Sequence, residues 1–239
     1  MILSKSLRSR IKRKLRHLAE NLGIYNWSSP ALHDINKRLE KYLPTTPGFF
    51  IEAGAHNGYS QSNTYFLERV KKWNGILVEP ILEQYNECCL ERTNSICFHN
   101  ALVDFDYSQD TVPIYSLSLL SQMVDPTQNI AQCKLRERGM QLEKGVSGKI
   151  EYVPARTLTS ILDEVKPHRI DFFSLDVEGN ELSVLKGIDW AKYSPKLILV
   201  EANKPLELEN FLCSKGYEVI RDFSPNDFLF IKKNSDKNE

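Results

Sequence analysis

The sequence has no apolar run approaching the roughly 18 residues that a membrane-spanning helix needs, and no internal repeat or low-complexity tract. It has no surplus of one charge either: 31 Lys+Arg balance 31 Asp+Glu. A zero total argues against a nucleic-acid partner, although a total can hide a split along the chain. Five cysteines, at positions 88, 89, 97, 133 and 213, include no CxxC pair, so neither a zinc ribbon nor a thioredoxin-like centre is expected. They read as small buried hydrophobes in a reducing compartment. The basic N-terminus lacks the apolar stretch and small-residue cleavage site of a secretory signal, so the expected home is the cytoplasm. The remaining composition, 41% hydrophobic, is that of an ordinary globular protein and argues against disorder or a coiled-coil rod.

What is present is 239 residues, enough for one medium domain with a short appendage. A core of that size buries roughly 70% of the unfolded surface and needs no disulfide or metal staple. The first twenty residues carry seven Lys/Arg and one acid, a net +6, so residues 21–239 sum to −6. Within that segment Leu3, Leu7, Ile11, Leu15, Leu18 and Leu22 recur every three or four positions, one apolar helical stripe with cations on the other faces. Two readings follow: a helix lying on an anionic membrane surface, or a helix packed on its own domain or on a partner subunit. The second is preferred, since stripes usually face cores. Residues 1–47 form a basic helical extension and residues 48–239 the main domain.

From about residue 47, strand-like and helix-like segments alternate. Short apolar runs end near Ala53, Val78, Leu175 and Val200, and residues 96–103 read as a third strand. Leu158, Ile161, Leu162 and Val165 keep helical spacing. This alternation predicts an α/β, doubly wound, mostly parallel sheet. The last two strands, Tyr217 to Ile220 and Phe228 to Ile231, are separated by a turn too short to join anything but antiparallel neighbours. Residues 104–152 break the rhythm and read as an insertion beside the site, with a β-hairpin in it.

Ligands of open α/β sheets bind outside the carboxyl ends of the strands. The first strand ends in Glu52-Ala53-Gly54-Ala55-His56-Asn57-Gly58. Its glycines allow a sharp turn and close approach of backbone to ligand, but the spacing is GxxxG, and neither GxGxxG nor GK[ST] is present, which disfavours a pyrophosphate cradle and a nicotinamide oxidoreductase. Glu79, 25 positions after Gly54 and followed by Pro80, ends the second strand, where an acid can accept hydrogen bonds from a ribose diol. Asp176, Glu178 and Glu201 converge on the ends of the fourth and fifth strands. Acids gathered there imply a cation, a hydrogen-bonded ligand or raised pKa values.

Four segments, FIEAGAHNGYS, ILVEP, RTLTSILDEV and IDFFSLDVEGNELSVLKGI, together resemble the FkbM-type S-adenosylmethionine-dependent methyltransferases, over about residues 49–231. The resemblance implies a class I methyltransferase sheet, Rossmann-like, with seven strands and the last antiparallel. It also implies S-adenosylmethionine as cofactor. By position, Glu52, Gly54, Ala55, Asn57 and Gly58 match the loop that holds its amino-acid part, and Glu79-Pro80 the ribose acid. Asn100 and Ala101 fall where the adenine edge rests, and Asp176 faces cofactor and substrate. The family often has other residues at positions 52, 56 and 57, which leaves the role of His56 open. A hydroxyl acceptor must lose a proton, and Asp176, Glu178 and His56 are the candidate catalytic groups. Mg²⁺ held by Asp176, Glu201 and Asn203 is a less favoured route, and no metal ligand is assigned.

The main expectation is O-methylation of a hydroxyl on a sugar, glycan or secondary metabolite. A non-catalytic methyltransferase-fold module, binding a partner or a membrane through residues 1–20, is the alternative. An oligomer is compatible with either.

Overall fold

The computed structural model describes residues 5–117, 120–123, 149–202 and 205–233; Cys133 and Asn203 lie outside them. One sheet has seven strands: β1 (Phe49–Ala53), β2 (Asn74–Val78), β3 (Ile96–Phe98), β8 (Phe172–Leu175), β9 (Leu197–Glu201), β10 (Tyr217–Ile220) and β11 (Asp227–Lys232). They lie in the order β3-β2-β1-β8-β9-β11-β10. Neighbours are parallel except where β11 runs antiparallel to both β9 and β10. The closing hairpin is thus as the sequence predicts, with the last strand inserted one place in from the edge.

The inner strands are buried on both faces, which explains why they read as unbroken apolar runs rather than alternating ones. On one face Ile51, Ile76, Phe173 and Ile198 pack with Ile161, Leu185 and Leu212, from helices α5 (Leu158–Val165), α6 (Glu181–Lys186) and α7 (Pro205–Ser214). On the other, Phe50, Leu77, Phe172 and Leu199 pack with Leu39, Leu67 and Cys88, from α2 (Ile35–Leu39), α3 (Tyr65–Arg69) and α4 (Leu82–Glu91). The Thr157 side chain accepts a hydrogen bond from the Ser160 amide at the start of α5, an N-cap that stops the preceding strand and starts the helix. Helices leave the sheet on opposite sides after β1 and after β8, and β1 and β8 are neighbours. The strand order therefore reverses between them, and a crevice opens at their carboxyl ends.

Three expectations are corrected. Residues 96–103 are not one strand. The chain bends at His99 and Asn100, and β4 (Ala101–Val103) leaves the main sheet to pair with β7 (Lys149–Thr157). The bend is held by the His99 ring against the Pro80 carbonyl and by the Asn100 amide donating to the Pro154 carbonyl. Apolar residues on both sides of the bend, Ile96 to Phe98 and Ala101 to Val103, read as one continuous run. Second, the expected insertion hairpin is present as β5 (Thr111–Leu117) and β6 (Leu120–Met123), but β7 runs on past residue 152. With β4 these strands make a second, four-stranded sheet in the order β4-β7-β5-β6, with its own apolar cluster of Ile81, Val103, Ile114 and Val153.

Third, helix α1 (Lys5–Asn21) packs on its own domain, yet by the face opposite to its apolar stripe. Arg13 reaches Glu87, Arg16 and His17 reach Glu91, and Glu20 pairs with Arg69. Leu7, Ile11, Leu15, Leu18 and Leu22 are exposed. Periodicity identifies an amphipathic helix but not which face its neighbours cover; here the neighbouring surface offers acids.

Among the described residues no helix is long and apolar enough to cross a membrane. The four described cysteines are free.

Candidate active site

The crevice at the switch point is lined by the loops after β1, β2 and β8, by the bend before β4, and by Ile114 of the insertion hairpin. The turn after β1 is forced by contact. Gly54 has φ +83, and a Cβ there would stand 1.7 Å from the Asp176 carbonyl oxygen. Only glycine lets the loops after β1 and β8 touch, and that contact sets the crevice floor. The Gly54 and Ala55 amides donate to the Val78 carbonyl, so the loops after β1 and β2 leave the sheet together.

Glu79, 6% exposed, accepts the His56 amide on one carboxylate oxygen at 2.7 Å and the Ile81 amide on the other at 2.8 Å. Burial pushes its pKa up to about 7, while those two amides pull the other way. Each oxygen keeps a second lone pair for a ligand donor. Asp176 sits among like charges: burial, then Glu201 and Glu178, raises it to about 8. Glu178 is raised as well, by burial and then by Glu201 and Glu181. His56 has φ 48, its pKa is lowered by burial, and its Nδ1 is buried with no hydrogen-bond partner.

Of the residues singled out from the sequence, Gly54, His56, Glu79, Pro80, Asn100, Ala101, Asp176 and Glu178 line this one crevice. Glu52, Ala55, Asn57 and Gly58 stand behind its wall. The Glu52 carboxylate is occupied by Ser62, Thr64, the Asn63 amide and Arg92, so it braces the loop and does not line the crevice. Asn57 caps its own turn, its side-chain oxygen accepting the Tyr59 and Ser60 amides. Gly58 leaves room for Arg92 and Cys88, whose atoms a Cβ would approach to 2.8 and 3.1 Å.

Sequence reasoning did not find Ser60, Gln61, Ser62 and Asn180, which also line the crevice; the first three directly follow the glycine turn, but carry no pattern of their own. It also missed Arg92. This guanidinium is fully buried, bound by Glu68 at 2.9 Å and Glu52 at 3.2 Å, and it donates to the Gly58 carbonyl and Thr64 hydroxyl. Nothing local distinguishes it from a surface arginine. Among the described residues no group of three or more His, Cys, Asp or Glu is arranged to hold a metal ion.

A seven-stranded sheet in this order, with a glycine turn and a buried acid at its switch point, defines the class I methyltransferase fold. The chain belongs to the FkbM methyltransferase family, whose model, described as Methyltransferase FkbM domain, matches residues 52–219. It is similar to the methyltransferase sdnD of Sordaria araneosa, with 26% identity over 218 residues, 79% of this chain and 82% of that one. Among solved structures it is similar to the methyltransferase FkbM of Methylobacillus flagellatus KT, at 16% identity and a TM-score of 0.49. That likeness covers 85% of this chain but only 47% of the other, so the chain spans about half the length of that relative. A precorrin-6y C5,15-methyltransferase of Geobacter metallireducens GS-15 is similar at 11% identity and a TM-score of 0.44, covering 83% and 87%.

Proposed function

We propose that this protein transfers a methyl group from S-adenosylmethionine to a hydroxyl of a sugar, glycan or secondary metabolite. The observation that carries the reading is the meeting of Gly54, Glu79 and Asp176 in one crevice. The residues fit the cofactor. Glu79 is a buried carboxylate with lone pairs to spare for a ribose diol, Ala101, Leu102 and Ile114 supply an apolar wall for a base, and Asp176 and Glu178 offer negative charge to a cation. When bound, the cofactor supplies a methyl group on a cationic sulfonium.

The chain's own part is to position and to manage a proton. Methyl transfer is an in-line displacement governed by alignment, and the contact of Gly54 with the Asp176 carbonyl keeps the two loops in register. The acceptor hydroxyl must lose its proton to a group that is unprotonated near neutral pH. His56, held neutral by burial and with Nδ1 unpartnered, suits that role best. Asp176, raised to about 8, binds a proton until a nearby cation displaces it, and Glu178 serves the same field.

Calorimetry with S-adenosylhomocysteine tests the cofactor assignment: micromolar-range binding is expected, and its absence in folded protein overturns the reading. Turnover with labelled cofactor on a panel of hydroxylated acceptors separates this reading from a non-catalytic module of the same fold.

A further inference from the structure

We propose that helix α1 docks the protein on a membrane surface rich in anionic lipid headgroups. Its orientation is imposed by the domain. Arg16 is sandwiched between Glu91, at 2.6 Å, and the ring of Tyr59, 3.4 Å from the guanidinium carbon, and Arg13 is tied to Glu87 at 2.7 Å. With that face held down, the apolar stripe must point away from the domain. Leu15 is 60% exposed, Leu18 58% and Leu22 71%. These three lie on one side of the helix with Ile11, because residues three, four and seven apart share a face. Beyond the helix, Trp27 is 58% exposed, an aromatic of the type that settles at headgroup depth.

The cations are placed where a lipid surface needs them. At 3.6 residues per turn Arg8 borders the stripe on one side and Lys14 on the other, with Lys12 and Arg10 one step further out. All four are exposed, and none has an ion pair with any described residue. The one acid of the helix, Glu20, is buried against Arg69 and Ser28. The outward face is therefore apolar in the middle, and the only charges at its margins are cations, the arrangement of an interfacial helix that lies in the plane of an anionic bilayer. A second copy of the chain fits poorly, since stripe-to-stripe packing brings Arg8 and Lys14 of each copy against those of the other. The Tyr59 hydroxyl donates to the Trp27 carbonyl, so the docked segment is tied to the loop beside Gly58.

The test is co-sedimentation of the full chain with phosphatidylcholine vesicles, with or without phosphatidylserine. Binding is expected with phosphatidylserine, about tenfold or more weaker without it, and weakened again by added salt. Leu15→Asp/Leu18→Asp and, separately, Lys12→Glu/Lys14→Glu each lower vesicle binding at least about tenfold. All four side chains are solvent-exposed, so melting curves should match the parent; if the Asp pair fails to fold, the Glu pair decides. Three results overturn the proposal: a chain that stays in the supernatant with both vesicle types, variants that bind like the parent, or a dimer in light scattering that Leu15→Asp/Leu18→Asp converts to monomer. The readout is lipid binding, so failure of the cofactor assignment leaves it untouched.

Discussion

Glu79 is asked to do two things with one carboxylate: hold the amides of His56 and Ile81, and accept from a ligand diol. Replacing it with Gln keeps the size but removes the charge and one acceptor. Hydrogen bonds to a charged group contribute about 1.5–3 kcal/mol, so Glu79→Gln should weaken S-adenosylhomocysteine binding about tenfold to hundredfold in calorimetry. Gly54→Ala should do more, because the added methyl collides with backbone at Asp176 and φ is positive; the expected outcome is a lowered melting temperature together with lost cofactor binding. Gly54, Glu79 and Asp176 were legible from the sequence because backbone approach and strand-end acids leave a pattern. Glu52 was not legible in the same way. An acid before a glycine turn reads as ligand-facing, but here its oxygens are engaged by Arg92, Ser62 and Thr64. No local rule places Arg92, 40 positions away, at its side.

At the scale of elements, α1 is fastened by charge rather than by apolar contact. Arg16 and Glu91 are both nearly buried, and removing one member of such a pair leaves the other uncompensated at a cost of about 3–5 kcal/mol. Arg16→Ala should therefore lower chemical stability by an amount near that range, minus what His17 still offers Glu91, measured by urea unfolding. Acid should also release the helix. Although burial favours the neutral form, His17 and Arg16 hold the Glu91 pKa below its ordinary value; the pair's contribution is thus full above that ordinary value and is lost as pH falls through the depressed one. Hydrogen exchange of α1 amides, rising first on acidification, is the measurement. A period of 3.6 specifies an apolar face, while the face that meets the domain depends on Glu87 and Glu91 of α4, some 75 residues on.

For the whole molecule, a net charge of zero conceals two separated fields, +6 on the first twenty residues and −6 on the remainder. Part of the negative field is gathered at the crevice by the ends of β8 and β9. Asp176 is neutral below about 8 and ionised above it, and a cation favours the ionised form. Affinity for S-adenosylmethionine should accordingly fall as pH drops below about 8. S-adenosylhomocysteine, which has no sulfonium, should weaken only below about 7, as Glu79 protonates. Calorimetry of both ligands across pH 6–9 checks this, and parallel curves would remove Asp176 from contact with the cation. Stability of the ligand-free protein should run the other way. The folded state retains a proton on Asp176 that the unfolded chain gives up near the ordinary value of 3.8, so stability declines as pH rises from there to about 8. Asp176→Asn should stabilise the protein increasingly over that interval and level off beyond it, as followed by thermal melts.

The order of strands and helices, the antiparallel ending, the glycine turn and the acids at the strand ends follow from the sequence alone, because each is a local matter of periodicity, chain reversal or backbone freedom. Three things were decided only by tertiary structure: the break at His99 and Asn100 that builds a second sheet, the burial of Glu52 with Arg92, and the outward turn of the α1 stripe. Each depends on partners distant in sequence, and the pairing of a charge or the covering of an apolar face is set by whichever surface the fold brings against it.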